Sequence, residues 1–147
     1  MKRIRPIALC IFRNNGRILV GEFQDLVSKK IFYRPLGGGI EFLEPGEKAV
    51  QREIQEELSE DIENVKLLGY LENIFFHEGE HKHEIVMVFD GEFKDKSVYA
   101  KTQVDGMEAN GEKIKALWKS LSEFGDNGLT LYPDGMLEFL RRHRSEE

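Results

Sequence analysis

Apolar and polar positions along the first two dozen residues follow the two-residue period of β-strands. Two such runs, residues 4–13 and 17–24, flank Asn14-Asn15-Gly16, residue types that suit the positive φ angles of a tight hairpin turn. A polar loop over 25–30 leads to a short strand, Ile31-Phe32-Tyr33-Arg34. Pro35-Leu36-Gly37-Gly38-Gly39 follows, where three glycines are expected to let the backbone turn sharply and approach a ligand closely. Over 45–59 the period changes. Val50, Ile54 and Leu58 recur at i, i+4 and i+8, Pro45 suits a first helical position, and Glu47 puts negative charge in the first turn, so a helix is predicted. Residues 65–76 and 84–93 return to a strand pattern and, joined by the polar stretch 77–83, predict a long hairpin. Residues 94–112, with Gly106 and Gly111 and little periodicity, read as a long loop, and 113–118 as a last strand. Pro133-Asp134-Gly135 opens a C-terminal helix to about Arg144, with Met136, Leu137 and Leu140 on its apolar side. Strands before and after one strong central helix predict a mixed α/β fold.

The length of 147 residues has room for one domain, expected over 1–147. A net charge of −6 repels nucleic-acid polymers and anionic membranes, so neither is an expected partner. A small phosphorylated ligand remains compatible, because a bound divalent cation inverts the local field. The apolar run 7–12 ends at Arg13, too short for a signal peptide, and nothing approaches the ~20 apolar residues of a membrane span. The one cysteine, Cys10, lies inside that run and reads as a small buried hydrophobe. A cytoplasmic protein, monomer or homodimer, is expected.

The chemistry concentrates in the central helix. At about 100° per residue, Glu53, Glu56, Glu57 and Glu60 fall within roughly 100° of arc beside the apolar stripe. Glu53 and Glu57, and Glu56 and Glu60, are like-charge i,i+4 pairs, each destabilising by a few tenths of a kcal/mol, and Arg52 is one cation against four anions. A partly buried face of this kind calls for a cation, and hard divalent ions prefer carboxylate oxygens.

Reading back from the helix gives Gly38, five residues, Glu44, seven residues, then Arg52-Glu53-Ile54-Gln55-Glu56-Glu57. This resembles the Nudix box of the MutT-like hydrolases, Gly-x5-Glu-x7-Arg-Glu-aliphatic-x-Glu-Glu-x-Gly-aliphatic. Six fixed residues and one aliphatic position match without a gap. The departures are Ser59, where the family has Gly, and Glu60, where it has an aliphatic residue; without that glycine the helix is expected to run a turn longer.

The resemblance implies a Nudix-type α/β/α sandwich in which a mixed β-sheet carries the box as a loop–helix–loop. It implies hydrolysis of a diphosphate bond in a small nucleotide-like substrate, with Mg²⁺ or Mn²⁺ as cofactor. Carried over residue by residue, Glu53, Glu56 and Glu57 would hold the metal, with a carbonyl of the glycine segment as a further ligand. Arg52 would orient Glu53, and Glu44 would brace the box. Tyr33, Arg34, Gly38 and Gly39 are candidates for substrate contact, and Glu108 or Glu112 for a loop base. A catalytically idle nucleotide-binding sensor is the alternative; an isoprenoid diphosphate isomerase would need a pocket cysteine, a poor role for Cys10. His77, His81 and His83 read as a hydrated hairpin tip, Trp118 as core, and Arg141–Arg144 as charge complementing the end of the last helix.

Overall fold

The computed structural model describes residues 2–144. β1 (Ile4–Ile11) pairs antiparallel with β5 (Leu36–Gly39) and parallel with β7 (Glu80–Phe93), which pairs antiparallel with β6 (Ile62–His77). This mixed sheet has the order β5-β1-β7-β6. A second, antiparallel sheet runs β2 (Arg13–Asn14), β3 (Arg17–Gln24), β9 (Lys113–Ser120), β8 (Gln103–Met107), with β4 (Ile31–Arg34) also on β3. The chain crosses from one sheet to the other at Phe12, whose carbonyl accepts from the Leu19 amide and whose ring stacks on Phe93 at 4.0 Å. Asn15 and Gly16 take the positive φ angles expected of the hairpin.

Alternation along β1 sorts the core into two halves. Ala8, Cys10 and Phe12 face α1 (Gly46–Leu58) and pack with Ala49, Val50, Ile54 and Leu58. Ile7, Leu9 and Ile11 face the opposite side and pack with Met136, Phe139 and Leu140 of α2 (Met136–Arg142). The mixed sheet therefore lies between two helices, and each fully buried aliphatic side chain contributes roughly 1.5–3 kcal/mol to holding them. Cys10 is fully buried, and that burial, then the charge of Asp90, push its thiol well above its ordinary pKa. Trp118 is core, with its indole N–H donating to the Lys101 carbonyl at 3.0 Å. No helix among the described residues is long and apolar enough to cross a membrane.

Several local expectations are corrected. The segment 94–112 is not a structureless loop: a short 3₁₀ turn, Lys96–Ala100, precedes β8, which pairs with β9. Its periodicity is hidden because only Val104 of β8 is buried. The stretch 77–83 is mostly strand, since the turn is only Glu78-Gly79, both at positive φ. Pro45 is the helix N-cap, with extended φ and ψ, and the helix starts at Gly46. A Cβ at Gly46 would lie 2.5 Å from Met87 Sδ, so the glycine lets the helix approach the sheet. The helix does not run on past the box: Ser59 takes the left-handed conformation at φ 57° that glycine would take, and Glu60 lies beyond the helical arc. α2 ends at Arg142 rather than Arg144, and Phe139 joins Met136 and Leu140 on its buried face, with Leu137 partly buried against the same core.

Candidate active site

The three glycines do not turn; Gly37, Gly38 and Gly39 pair with Leu9, Ala8 and Ile7 as an edge strand. The close approach they permit is to the protein itself. A Cβ at Gly37, at φ 147°, would sit 2.0 Å from the Ala8 carbonyl oxygen, and one at Gly38 would sit 2.5 Å from the Glu53 carboxylate. β5 thus lies against both β1 and the acidic side of α1.

Arg52 is the hub of that side. Its Nε and Nη2 donate to the two oxygens of Glu44 at 2.7 and 2.9 Å, and Nη1 donates to Glu53 at 3.0 Å and to Glu56 at 3.2 Å. Nη2 also donates to the Gly39 carbonyl at 3.0 Å, tying the helix to the glycine strand. The fork geometry of a guanidinium suits this two-oxygen grip on Glu44. That grip, reinforced by the Glu41 amide, holds the Glu44 carboxyl down to about 2.

Glu57 points to a different environment. It is largely buried, and its Oε1 has no hydrogen-bond partner. Burial pushes its carboxyl up to about 8; the Arg34 guanidinium and the Gly37 amide pull it down, while the carboxylates of Glu53 and Glu108 raise it further. Arg34, from β4, in turn has a buried and unpartnered Nε and lies over the Phe23 ring at 5.3 Å. Among the described residues no three His, Cys, Asp or Glu side chains stand close enough to close on an ion, because Glu53 and Glu56 lean on Arg52, the cation within their reach.

The structure therefore brings together Gly38, Gly39, Glu44, Arg52, Glu53, Glu56, Glu57, Arg34 and Glu108. Glu112 stands at the exposed end of the same loop, with its carbonyl accepting from the Glu108 amide at 2.7 Å. Tyr33 does not join the group: it is buried in the α2-side core, its ring edge-on to Phe124 and its hydroxyl donating to Glu22 at 2.7 Å. The histidines do not converge either. His77 faces Asp25 at 3.1 Å, His81 packs on the Phe76 ring, and His83 is nearest Glu72.

On the α2 side of the mixed sheet a cavity of about 410 Å³ opens, lined by Arg34, Phe32, Phe75, His77, Asn73 and Tyr132 among others. Sequence reasoning missed it. The available signal was Asn73, a polar residue in a run where alternate positions are apolar or aromatic.

A family model described as the NUDIX domain matches residues 1–142. Comparison with curated protein sequences finds no match. Among solved structures, the chain is similar to a MutT NUDIX hydrolase from Burkholderia pseudomallei, with a TM-score of 0.66, 20% identity, and coverage of 95% of this chain and 98% of that one. A MutT protein from Methanosarcina mazei gives 0.62 and 22%, covering 96% and 93%. An ADP-ribose pyrophosphatase from Streptococcus suis gives 0.62 and 16%, covering 99% and 96%. With the box residues gathered on α1 and β5, and the family match spanning residues 1–142, the chain belongs to the NUDIX family.

Proposed function

We propose that this chain, as one domain in a reducing cytoplasmic setting, hydrolyses a diphosphate linkage in a small nucleotide-like substrate with Mg²⁺ or Mn²⁺. The observation that carries the reading is Glu57, a carboxyl with a buried, unpartnered Oε1, next to the Gly37 amide and to the carboxylates of Glu53 and Glu108. Carboxylate oxygens are the ligands a hard divalent ion prefers, and such an ion would have to draw Glu53 and Glu56 from their contacts with Arg52. Glu53, Glu56 and Glu57 would hold it. The ion would supply charge neutralisation on phosphate oxygens and a lowered pKa for the attacking water.

The chain's own groups do the rest. Glu44 locks Arg52, and Arg52 fixes the Glu53 carboxylate against Gly38. Arg34, a cation with an unpartnered Nε whose charge acts on Glu57, would offset the negative charge that grows as the anhydride oxygen leaves. Water oxygen bonds to phosphorus, the anhydride P–O bond breaks, and the water's proton passes to a carboxylate. We assign this role to Glu108, whose charge acts on Glu57, rather than to the exposed Glu112.

The test is a panel of nucleoside triphosphates, dinucleoside polyphosphates, ADP-ribose, NAD-type and sugar-nucleotide substrates, each with Mg²⁺ and with Mn²⁺. Metal-dependent release of a cleaved phosphate product is expected from at least one. Silence across the panel with nucleotide binding intact would replace hydrolysis by the sensor reading.

A further inference from the structure

One edge of the mixed sheet is built unlike an edge that stays in water. β6 is the end strand of the order β5-β1-β7-β6, and among the described residues no main-chain hydrogen bond beyond the pairing with β7 involves residues 69–77. Edge strands are ordinarily blunted by bulges, prolines or charges, because their free N–H and C=O groups invite another strand. β6 is blunted only in its first half, where the register slips between Glu63 and Lys66 and again between Leu67 and Gly69. From Gly69 to His77 the pairing with β7 is unbroken, with no proline, lysine or arginine and with Glu72 as the one acid.

The uncovered face of this half is apolar as well. Cross-strand partners share a face, so Tyr70, Glu72, Ile74 and Phe76, opposite Met87, Ile85, His83 and His81, lie on the α1 side. α1 begins over Met87, and beyond it Tyr70, Ile74 and Phe76 stay 59%, 61% and 65% exposed. The solvated face of an antiparallel pair normally carries polar side chains. Here three of the four on β6 are apolar.

The spacing along this stretch is self-complementary. Two copies of β6 can pair antiparallel about a two-fold axis, and an axis that passes through a residue keeps the two apolar faces on the same side. With Asn73 on the axis, Tyr70 stands opposite Phe76 of the second copy, and Ile74 stands opposite Glu72 of the second copy. An axis at Glu72 would oppose the two acids, and one at Ile74 would set Tyr70 against Glu78 and Phe76 against Glu72. Asn73 alone of the three matches aromatic with aromatic and opposes no like charges.

We propose that the chain forms a homodimer through β6, with residues 70–76 of two copies paired antiparallel about Asn73 so that the two mixed sheets become one. Each exposed aromatic leaves about 100–150 Å² to cover. Burying these side chains with the edge backbone of both copies removes about 1,000 Å², the smallest size at which specific interfaces form, and a micromolar dissociation constant follows. The net charge of −6 on each copy opposes this only at short range, because physiological salt screens beyond about 8 Å. The dimer does not depend on the diphosphate reading.

Sedimentation velocity of the full chain at physiological salt, from micromolar to near-millimolar concentration, is expected to show monomer giving way to dimer. Ile74→Glu sets like charges opposite each other twice in the dimer and should weaken it tenfold or more. Its melt in dilute solution should be unchanged, since Ile74 is mostly exposed. Cross-linking reads the register separately. An equimolar mixture of Tyr70→Cys and Phe76→Cys proteins should form a disulfide-linked dimer under mild oxidation. Either variant alone should not, because its cysteine stands about 20 Å from its own counterpart. Cys10 is fully buried and does not compete. A monomer at every concentration, a dimer indifferent to Ile74→Glu, or a single cysteine variant that cross-links as readily as the mixture would each overturn the assignment. Should Ile74→Glu fail to fold, the mixture decides, since both of its positions are more than half exposed.

Discussion

Alanine in place of each of the three glycines separates packing from chemistry within one short strand. At Gly38 the added Cβ would lie 2.5 Å from Cδ and Oε2 of Glu53 and 2.8 Å from Oε1. Carbon contacts are comfortable from about 3.5 Å, so the carboxylate must retreat by about 1 Å. It is the end of a flexible side chain, and its retreat breaks the 3.0 Å bond from Arg52 rather than the strand. A displacement near 1 Å at a reacting site costs on the order of 10²-fold in rate. Stability should hardly move. Gly38 has no positive φ, so alanine gains roughly 0.4–1 kcal/mol through the unfolded chain, which offsets the local crowding. Gly37→Ala is the contrast: its Cβ would meet the Ala8 carbonyl at 2.0 Å, a backbone atom that cannot swing aside, at a φ of 147°. Overpacking and strain together put its cost at about 3 kcal/mol or more. Gly39→Ala meets nothing nearer than Arg5 Nη2 at 3.7 Å and should melt like the unaltered protein. Thermal melts of all three, with Mg²⁺-dependent turnover of Gly38→Ala and Mn²⁺ binding by calorimetry, test the scheme. If Gly38→Ala keeps most of its turnover, or melts as low as Gly37→Ala, the placement of Glu53 against the glycine strand does not carry the chemistry.

Glu57→Gln should melt no lower than the unaltered protein in chelator, because it removes a buried carboxyl that burial and two carboxylates disfavour, yet lose turnover by about 10²-fold or more and lose the rise in melting temperature that Mg²⁺ gives. A Glu57→Gln protein with near-full activity would sink the proposed metal site. Glu60→Gln, beyond the helix end, should leave the rate within about twofold. Glu44→Gln cannot match the two-oxygen grip on Arg52 and should cost about 10–100-fold in metal affinity or rate, as loss of a bracing partner does; an unchanged metal titration would show that Arg52 holds Glu53 without it. Ser59→Gly relieves a left-handed serine worth about 1–2 kcal/mol against a glycine entropy penalty of about 0.5–1, so melting should rise by about 2 °C, and a fall would mean that Ser59 makes a compensating contact.

The elements legible in the sequence are those whose burial is one-sided and whose turns have a fixed chemistry. The Asn15-Gly16 hairpin and the Val50–Ile54–Leu58 stripe are of this kind: each residue's type follows from a φ angle or a buried face that it alone must satisfy. β5 and β8 were not legible, for opposite reasons. β5 is nearly all glycine, because Glu53 and the β1 backbone fill the space where side chains would signal a strand. β8 lies at a sheet edge with one buried residue, too few to print a period.

The candidate site divides along the same line. The box is readable because its parts are local: Arg52 reaches Glu44, Glu53 and Glu56 within a span of a dozen residues, so their spacing in sequence is nearly their spacing in space. Arg34, Glu57 and Glu108 meet only because β4, α1 and the loop after β8 converge, and Asn73 acquires meaning only when β6 sets it beside Glu84 and folds its unpaired oxygen into an aromatic cavity. The same tertiary pairing removed Tyr33, whose neighbour Arg34 points the other way along the strand, from the group of candidates. Groups carried by one helix and its leading loop have a spacing that the sequence displays, whereas groups drawn from separate strands have none until the sheets pair.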